Sequence, residues 1–166
     1  MEAHVKSLNA AIITASNRAS RGIYEDSSGE ILAAGLRELG FNVAVQVVVP
    51  DSVSLIGAEI SKAIDAKIDL IVTTGGTGIS PTDVTPEATA PLIEKALPGI
   101  GEAMRAYSRE KVPTADLSRG LAGSTEKSLI INLPGSPGGV RDGLVIIARL
   151  APHAISQLAG GDHEQS

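Results

Sequence analysis

The chain has 166 residues, 43% of them hydrophobic, so it is long enough to bury a substantial core, and its length suits one domain. It contains no cysteine, which excludes disulfide bridges, zinc sites with cysteine ligands and thiol nucleophiles. Acidic residues outnumber basic ones by 19 to 14, and aromatic residues make up only 2%, so we expect no nucleic-acid partner.

Four short runs rich in isoleucine and valine predict the strands of a sheet. They cover residues 10–15, 43–49, 70–74 and 129–133. The runs are almost continuously apolar rather than alternating, a pattern typical of strands buried on both faces of a mostly parallel sheet.

Helical patterns lie between these runs. The first predicted helix starts at Ser27 and Glu30, which have the spacing of a capping box, and ends before Gly40. Apolar stripes at helical spacing predict three helices, through Ile31, Leu32, Leu36 and Leu39; through Ile56, Ile60, Ala63 and Ile64; and through Val140, Leu144, Ile147 and Leu150.

Other segments have no simple pattern. Pro91 interrupts the helical pattern of residues 86–97, so we expect a kink or two short helices there. Residues 112–127 predict a loop with a short strand near residues 118–122. Residues 160–166 predict a flexible tail after a single domain formed by residues 1–159.

The alternation of strands and helices predicts a doubly wound α/β fold. No apolar run approaches the roughly 18 residues that span a bilayer, so no membrane partner is expected. The N-terminal residues carry an acid and lack the pattern of a signal peptide, and a cytoplasmic protein is therefore predicted.

Ligands of such folds bind beyond the carboxyl ends of the strands, where this chain has two glycine-rich segments. The first, residues 75–83, holds three glycines whose amides could cradle an anion, so a ligand loop is favoured over a plain turn. It matches neither a phosphate-binding P-loop nor the dinucleotide fingerprint. The second, residues 134–139, could be another cradle or a rigid connection, and Ser136 lacks the setting of a hydrolase nucleophile.

Asp51 and Asp83 follow two of the predicted strands. Each alone fits a helix cap, but the pair favours coordination of Mg²⁺ shared with phosphate oxygens. Arg18, Arg21 and Arg119 are candidates for phosphate contacts, since guanidinium binds such oxygens in a bidentate manner. No cluster has the spacing of a catalytic zinc site. These residues predict phosphate chemistry around one anionic ligand.

Two long motifs at these positions resemble those of the MogA/MoaB family of molybdenum-cofactor biosynthesis, to which the G domain of gephyrin also belongs. The first motif combines Thr-Gly-Gly-Thr-Gly at residues 74–78 with Asp-Val-Thr-Pro-Glu-Ala-Thr at residues 83–89. The second is Asn-Leu-Pro-Gly-Ser-Pro at residues 132–137. Shorter matches extend the resemblance from about residue 9 to about residue 150.

The resemblance implies a three-layer molybdopterin-binding fold, with helices on both faces of a mostly parallel sheet, and usually a homotrimer. It also implies adenylyltransferase activity, in which Mg-ATP adenylates the terminal phosphate of molybdopterin and pyrophosphate is released. Asp51 and Asp83 correspond to the catalytic aspartates of the family, expected to bind Mg²⁺ directly or through its waters. The product would pass to a molybdate-insertion protein.

The resemblance also assigns binding residues and leaves an alternative open. The implied pterin- and nucleotide-binding residues are Ser16, Arg18, Thr74, Gly75, Gly76, Thr77, Gly78, Asn132, Pro134, Gly135, Ser136 and Pro137, with Arg119 as a phosphate contact. Asn17 stands where many members have aspartate. A non-catalytic, MoaB-like binding or carrier protein would carry the same signatures, although two retained aspartates disfavour it. The second motif also disfavours an unrelated phosphate-binding domain.

Overall fold

The computed structural model describes residues 6–161, in which six strands form one sheet. The strands are β1 (Asn9–Ala15), β2 (Asn42–Val49), β3 (Leu70–Thr74), β4 (Lys95–Ala96), β5 (Ala122–Ser124) and β6 (Leu129–Leu133). Their order is β2-β1-β3-β6-β5-β4. The pairs among β2, β1, β3 and β6 are parallel, whereas β5 and β4 pair in antiparallel fashion. The predicted mostly parallel sheet is confirmed.

Helices cover both faces of this sheet. They are α1 (Asn17–Ser20), α2 (Ser27–Glu38), α3 (Val53–Asp65), α4 (Thr85–Thr89), α5 (Pro98–Arg109) and α6 (Pro137–Leu158), with 3-10 turns at Ala90–Leu92 and Pro113–Leu117. One aliphatic core lies between the sheet and α2, α5 and α6, and the other lies between the sheet and α3 and α4. The fold therefore has three layers. None of the helices in the described range is long and apolar enough to span a membrane.

Alternation along the central strands divides the apolar residues between the two cores. Ala10 and Ile12 of β1 pack against the first core, and Ala11 and Ile13 pack against the second. β3 and β6 are likewise buried along their whole length, as predicted. β2 is different because it forms one edge of the sheet, and its residues alternate between partly buried and exposed. The prediction that this run is buried on both faces is wrong.

The helix ends show which local signals were correct. Asp26, not Ser27, caps α2, because its Oδ1 accepts the N–H of Gly29 at 2.9 Å. Gly40 has φ +92° just after the helix, which confirms the predicted end. Leu39 and Leu150 are exposed, so the last residue of each of these two predicted apolar stripes does not face the core. The buried face of α6 continues through other positions, chiefly Ala151 and Ile155.

The middle of the chain contains the elements that sequence reasoning missed or displaced. α4 and the following 3-10 turn at Ala90–Leu92 are the two short helices expected around Pro91. α5 was not predicted, although Ile100, Ala103, Met104 and Tyr107 have helical spacing and pack on the first core. β4 was also not predicted, and the strand expected near residues 118–122 is β5, which begins at residue 122.

The start of the predicted tail is still attached to α6. The N–H of Gly160 bonds to the carbonyl of Gln157 at 3.0 Å, and that of Gly161 bonds to the carbonyl of Ser156 at 2.9 Å. Residues 162–166 lie outside the described residues, so the tail and the domain limits stay predictions.

Candidate active site

The loops that follow β1, β3 and β6 lie side by side at the carboxyl ends of the parallel strands. The N–H of Gly75 bonds to the carbonyl of Leu133 at 3.1 Å. The hydroxyl of Thr74 donates to the carbonyl of Pro134 at 2.7 Å, and that of Ser28 on α2 donates to the carbonyl of Gly135 at 2.7 Å. Buried side chains of the core therefore hold the two glycine-rich segments together.

Gly75 and Gly76 allow the first segment to lie close to its neighbours. Their φ angles are +93° and +68°, in the left-handed region that favours glycine. A Cβ on Gly75 would lie 2.3 Å from the carbonyl oxygen of Ala15, and a Cβ on Gly135 would lie 3.2 Å from the Cα of Gly75. Larger residues would separate the segment from β1 and from the second segment.

Thr85 fixes the first segment from inside the protein, a role that sequence reasoning did not assign. Its side chain is fully buried, and its hydroxyl donates to the carbonyl of Gly75 at 2.9 Å. Its N–H donates to the carbonyl of Gly76 at 3.0 Å. The sequence alone does not predict this role, because the direction of the hydroxyl depends on tertiary packing.

Asp51 is held by a reciprocal pair of hydrogen bonds and does not cap a helix. Its Oδ2 accepts the N–H of Asn17 at 3.1 Å, and the Oδ1 of Asn17 accepts the N–H of Asp51 at 2.9 Å. Ser52 is the residue that caps α3, through a 3.3 Å bond from Leu55. The prediction that Asp51 caps the following helix is therefore wrong, and its carboxylate accepts the N–H of the first residue of α1 instead.

Asp83 is likewise oriented by its own loop. Its Oδ2 accepts the N–H of Ser80 at 3.0 Å and the hydroxyl of Ser80 at 2.8 Å. Val84 occupies the cap position of α4 and makes no side-chain cap bond, so the capping alternative is wrong for Asp83 as well.

The glycines of the first segment separate the two carboxylates. A Cβ on Gly76 would lie 3.3 Å from Oδ1 of Asp51, and one on Gly78 would lie 2.7 Å from Oδ2 of Asp83. Burial raises the pKa of Asp51, the bond from Asn17 opposes this, and repulsion by Asp83 adds to it. A cation between the two would relieve that repulsion.

The carboxylates of Asp51 and Asp83 are suitable ligands for Mg²⁺ but would not fill all of its coordination positions. Two carboxylates supply the oxygen ligands that Mg²⁺ prefers, and the ion commonly shares them with substrate phosphates and water. Within residues 6–161, no group of three or more His, Cys, Asp or Glu side chains could hold a metal ion. Any Mg²⁺ bound here would depend on oxygen atoms of a ligand.

Two cavities meet at these loops. The acidic cavity, of about 370 Å³, is lined by Asp51 and by polar residues that follow β1 and precede α2. The apolar cavity, of about 590 Å³, is lined by Ile79, Val112 and Leu117. Gly76, Asp83 and Gly135 line both, so the second carboxylate stands at their common border.

Most of the predicted binding residues line these cavities. The acidic cavity includes Ser16, Thr74, Gly75, Gly76 and Gly135, and the apolar cavity includes Gly76, Thr77, Gly78, Pro134, Gly135 and Ser136. Arg18 lies next to the acidic cavity, where its guanidinium stacks on the ring of Tyr24 at 5.3 Å. Pro137 begins α6 directly after Ser136, which caps that helix. Sequence reasoning missed Ser108, Lys111 and Asp142 in the apolar cavity.

Asn132 makes several hydrogen bonds within the protein, and its predicted contact with a ligand stays a prediction. Its side chain is buried, and its Nδ2 donates to the hydroxyls of Thr73 at 2.9 Å and Thr89 at 3.1 Å. Its Oδ1 accepts the N–H of Leu121 at 3.3 Å. The amide therefore joins β6 to the residues around it.

Arg119 fastens the first glycine segment and lines neither of the two cavities, and its predicted phosphate contact stays a prediction. Its Nε donates to the carbonyl of Gly78 at 2.8 Å, and its Nη2 donates to the carbonyl of Asp83 at 2.9 Å. Its Nη1 donates to Glu87, and this ion pair lowers the pKa of Glu87. The guanidinium holds both ends of the loop that carries Asp83.

Replacing Arg119 with alanine is expected to loosen this loop. Loss of the two bonds to backbone carbonyls should lower the free energy of unfolding by about 1–2 kcal/mol, and amide exchange should rise within residues 78–83. Arg109→Ala is the matched control, because Arg109 pairs with Asp116 at the surface and should cost about 0.5 kcal/mol or less. Equal effects in both variants would contradict the fastening role.

Comparison with known proteins gives one consistent set of similarities. Residues 11–153 match the family described as "Probable molybdopterin binding domain". A molybdopterin adenylyltransferase of Helicobacter pylori (strain ATCC 700392 / 26695) is 43% identical over 159 residues, covering 94% of this chain and 90% of that protein. The Mog protein of Mycobacterium ulcerans has a similar structure, with TM-score 0.87, 46% identity and coverage of 93% of this chain and 98% of that one. MoaB from Thermus thermophilus also has TM-score 0.87, with 40% identity and coverage of 92% and 97%.

Proposed function

The chain belongs to the family of probable molybdopterin-binding domains, and from that membership we propose that it is a molybdopterin adenylyltransferase of molybdenum-cofactor biosynthesis. The observation that carries the proposal is the placement of Asp51 beside Gly76 and of Asp83 beside Gly78, where the acidic cavity meets the apolar cavity. A transferase that joins two phosphorylated substrates must bring their phosphates together, and two adjoining cavities allow this.

The two cavities suggest how the substrates divide between them. The acidic cavity has mainly polar walls and suits the phosphates of ATP when Mg²⁺ offsets the charge of its carboxylates, whereas the apolar walls of the other suit the pterin ring system. The terminal phosphate of molybdopterin and the α-phosphate of ATP would then meet at the shared residues Gly76, Asp83 and Gly135.

The reaction needs no nucleophile from the protein. An oxygen of the molybdopterin phosphate attacks the α-phosphorus of ATP in line, the bond from that phosphorus to the pyrophosphate oxygen breaks, and pyrophosphate leaves with its electron pair. Mg²⁺ supplies charge neutralisation between the crowded phosphates when it is bound. The protein contributes positioning: Asn17 orients Asp51, Ser80 orients Asp83, and both carboxylates hold the ion directly or through water.

A non-catalytic, MoaB-like pterin carrier is the alternative, because structures named MoaB are as similar to this fold as those named Mog. The orientation of both aspartates favours the enzyme, since neither caps a helix and binding alone would not require two close carboxylates. As further parts of the proposal, the protein acts as a cytoplasmic homotrimer and passes its product to a molybdate-insertion protein.

The proposal is tested by incubating the purified protein with molybdopterin, ATP and Mg²⁺, and measuring adenylated pterin and pyrophosphate together. We expect the two products in equal amounts, and we expect both to be lost in Asp83→Ala and on removal of Mg²⁺ with a chelator. Tight binding of molybdopterin with neither product would contradict the enzyme and support the carrier.

A further inference from the structure

One ion pair stands in the wall of the apolar cavity and has no part in the mechanism above. Asp142 of α6 accepts a hydrogen bond from the hydroxyl of Ser108 on Oδ2 at 2.8 Å, and one from Nζ of Lys111 on Oδ1 at 2.6 Å. All three side chains line the cavity. Ser108 lies in α5 and Lys111 just after it, so contact between α5 and α6 creates the cluster.

The surroundings of the cluster are those of a binding pocket rather than of an ordinary surface pair. The side chain of Asp142 is only 14% exposed, although Lys111 is 57% exposed. Three large apolar side chains with more than half of their surface exposed line the same cavity: Ile79, Val112 and Leu117. Exposed apolar walls with a few oriented polar groups are typical of small-molecule sites.

We propose that Asp142 and Lys111 bind the aminopyrimidinone edge of the pterin ring. This inference rests on the proposed function, because it names the part of molybdopterin that the apolar cavity recognises. That edge carries three groups in a row: the O4 carbonyl, which accepts, and the N3–H and the 2-amino group, which both donate.

The ion pair is complementary to that row of groups. Each carboxylate oxygen of Asp142 uses one acceptor position internally and retains capacity for another hydrogen bond, one from N3–H and one from the 2-amino group. Nζ of Lys111 has further N–H donors for O4. The hydrogen bond from Lys111 to Asp142 raises the pKa of Lys111 further above neutral pH, where the amine is already protonated. Ile79, Val112 and Leu117 would contact the faces of the ring.

A purely structural role would be to fasten α5 to α6, and the chain offers a matched control for it. Arg109 of α5 pairs with Asp116 at 2.9 Å, with both side chains about half exposed. Asp116 lines a different cavity from the one proposed for the pterin. Asp116→Asn therefore makes the same chemical change in another ion pair of α5.

The first experiment compares Asp142→Asn with the wild type and with Asp116→Asn in the adenylyl-transfer assay. We expect KM for molybdopterin to rise roughly 10- to 100-fold in Asp142→Asn, as for loss of charge-assisted hydrogen bonds, with KM for ATP and the melting temperature almost unchanged. Lys111→Gln, at an exposed position, should raise the same KM by a smaller factor. Unchanged KM for molybdopterin in both variants would overturn the inference.

A second measurement does not depend on catalysis. Pterin and lumazine, which carries a 2-oxo group in place of the 2-amino group, are titrated by their own fluorescence. We expect the wild type to prefer pterin and Asp142→Asn to shift the preference towards lumazine, because an asparagine amide can donate to the 2-oxo group. If the wild type makes no product but Asp142→Asn still shifts the preference towards lumazine, the proposed function fails and the edge contact stands. An equal preference in both proteins would overturn the contact itself.

Discussion

Replacing Asp51 with asparagine is expected to lower kcat for adenylyl transfer by roughly 10²- to 10³-fold, the scale of losing one preorganised electrostatic group at a reacting phosphate. The side chain keeps its shape, and an amide oxygen can still accept the N–H of Asn17. The loss should therefore come from the missing charge. Steady-state kinetics at several Mg²⁺ concentrations would measure it, with Asp116→Asn as the control.

The same substitution is expected to leave the protein at least as stable as the wild type. Because burial raises the pKa of Asp51 above its value in the unfolded chain, the ionised side chain costs stability at neutral pH. Asparagine removes that cost. The stability advantage of the variant should be present at pH 7, should decline as the pH falls through the raised pKa, and should vanish below the unfolded-state pKa. Near-normal turnover with unchanged Mg²⁺ dependence would show that Asp51 is not catalytic.

Replacing Gly75 with alanine is expected to lower the free energy of unfolding by about 2–4 kcal/mol and to abolish activity. The left-handed conformation costs an L-residue about 1–2 kcal/mol. The new Cβ would also lie 2.3 Å from the backbone oxygen of Ala15, which cannot move without shifting β1. Such overpacking typically adds about 1–3 kcal/mol. Denaturant unfolding would measure the change.

Gly57→Ala in α3 is the matched control for this substitution. A Cβ there would lie 3.7 Å from the nearest atom, the carbonyl oxygen of Ala88, which is an ordinary contact. Alanine inside a helix should raise stability by about 0.5–1 kcal/mol. Glycine-to-alanine substitution is thus expected to lower the free energy of unfolding at residue 75 and to raise it at residue 57. A Gly75→Ala protein as stable as the wild type would contradict the close approach between the loop and β1.

The sequence predicted the layers of the fold better than its edges. Continuous aliphatic runs identify β1, β3 and β6 because these strands are buried on both faces. The same kind of run led to a wrong prediction of burial on both faces for β2, because the position of a strand in a sheet depends on pairing between distant segments. α5 escaped notice because Gly99 and Gly101 weaken its first turn, although its apolar residues have helical spacing.

The site was predictable where its residues directly follow parallel strands, because the carboxyl ends of such strands lie at the same edge of the sheet. Asp51 and Asp83 follow β2 and β3, two parallel strands on either side of β1, and the structure places both carboxylates in the lining of one cavity. Motif membership does not show where a side chain points, and the internal hydrogen bonds of Asn132 and Arg119 could not be predicted from it. Asp142 and Lys111 carried no sequence signal, because contact between α5 and α6 unites them.

The hydrogen bonds that hold the glycine segments have a consequence for the charge that a ligand meets. The carbonyl oxygens of Gly75 and Gly76 are engaged by Thr85, those of Thr77 and Gly78 by Arg119, and those of Pro134 and Gly135 by Thr74 and Ser28. Six backbone carbonyl oxygens are thus bonded within the protein. The negative charge that a ligand meets at these loops therefore comes from carboxylates, chiefly those of Asp51 and Asp83, rather than from the backbone.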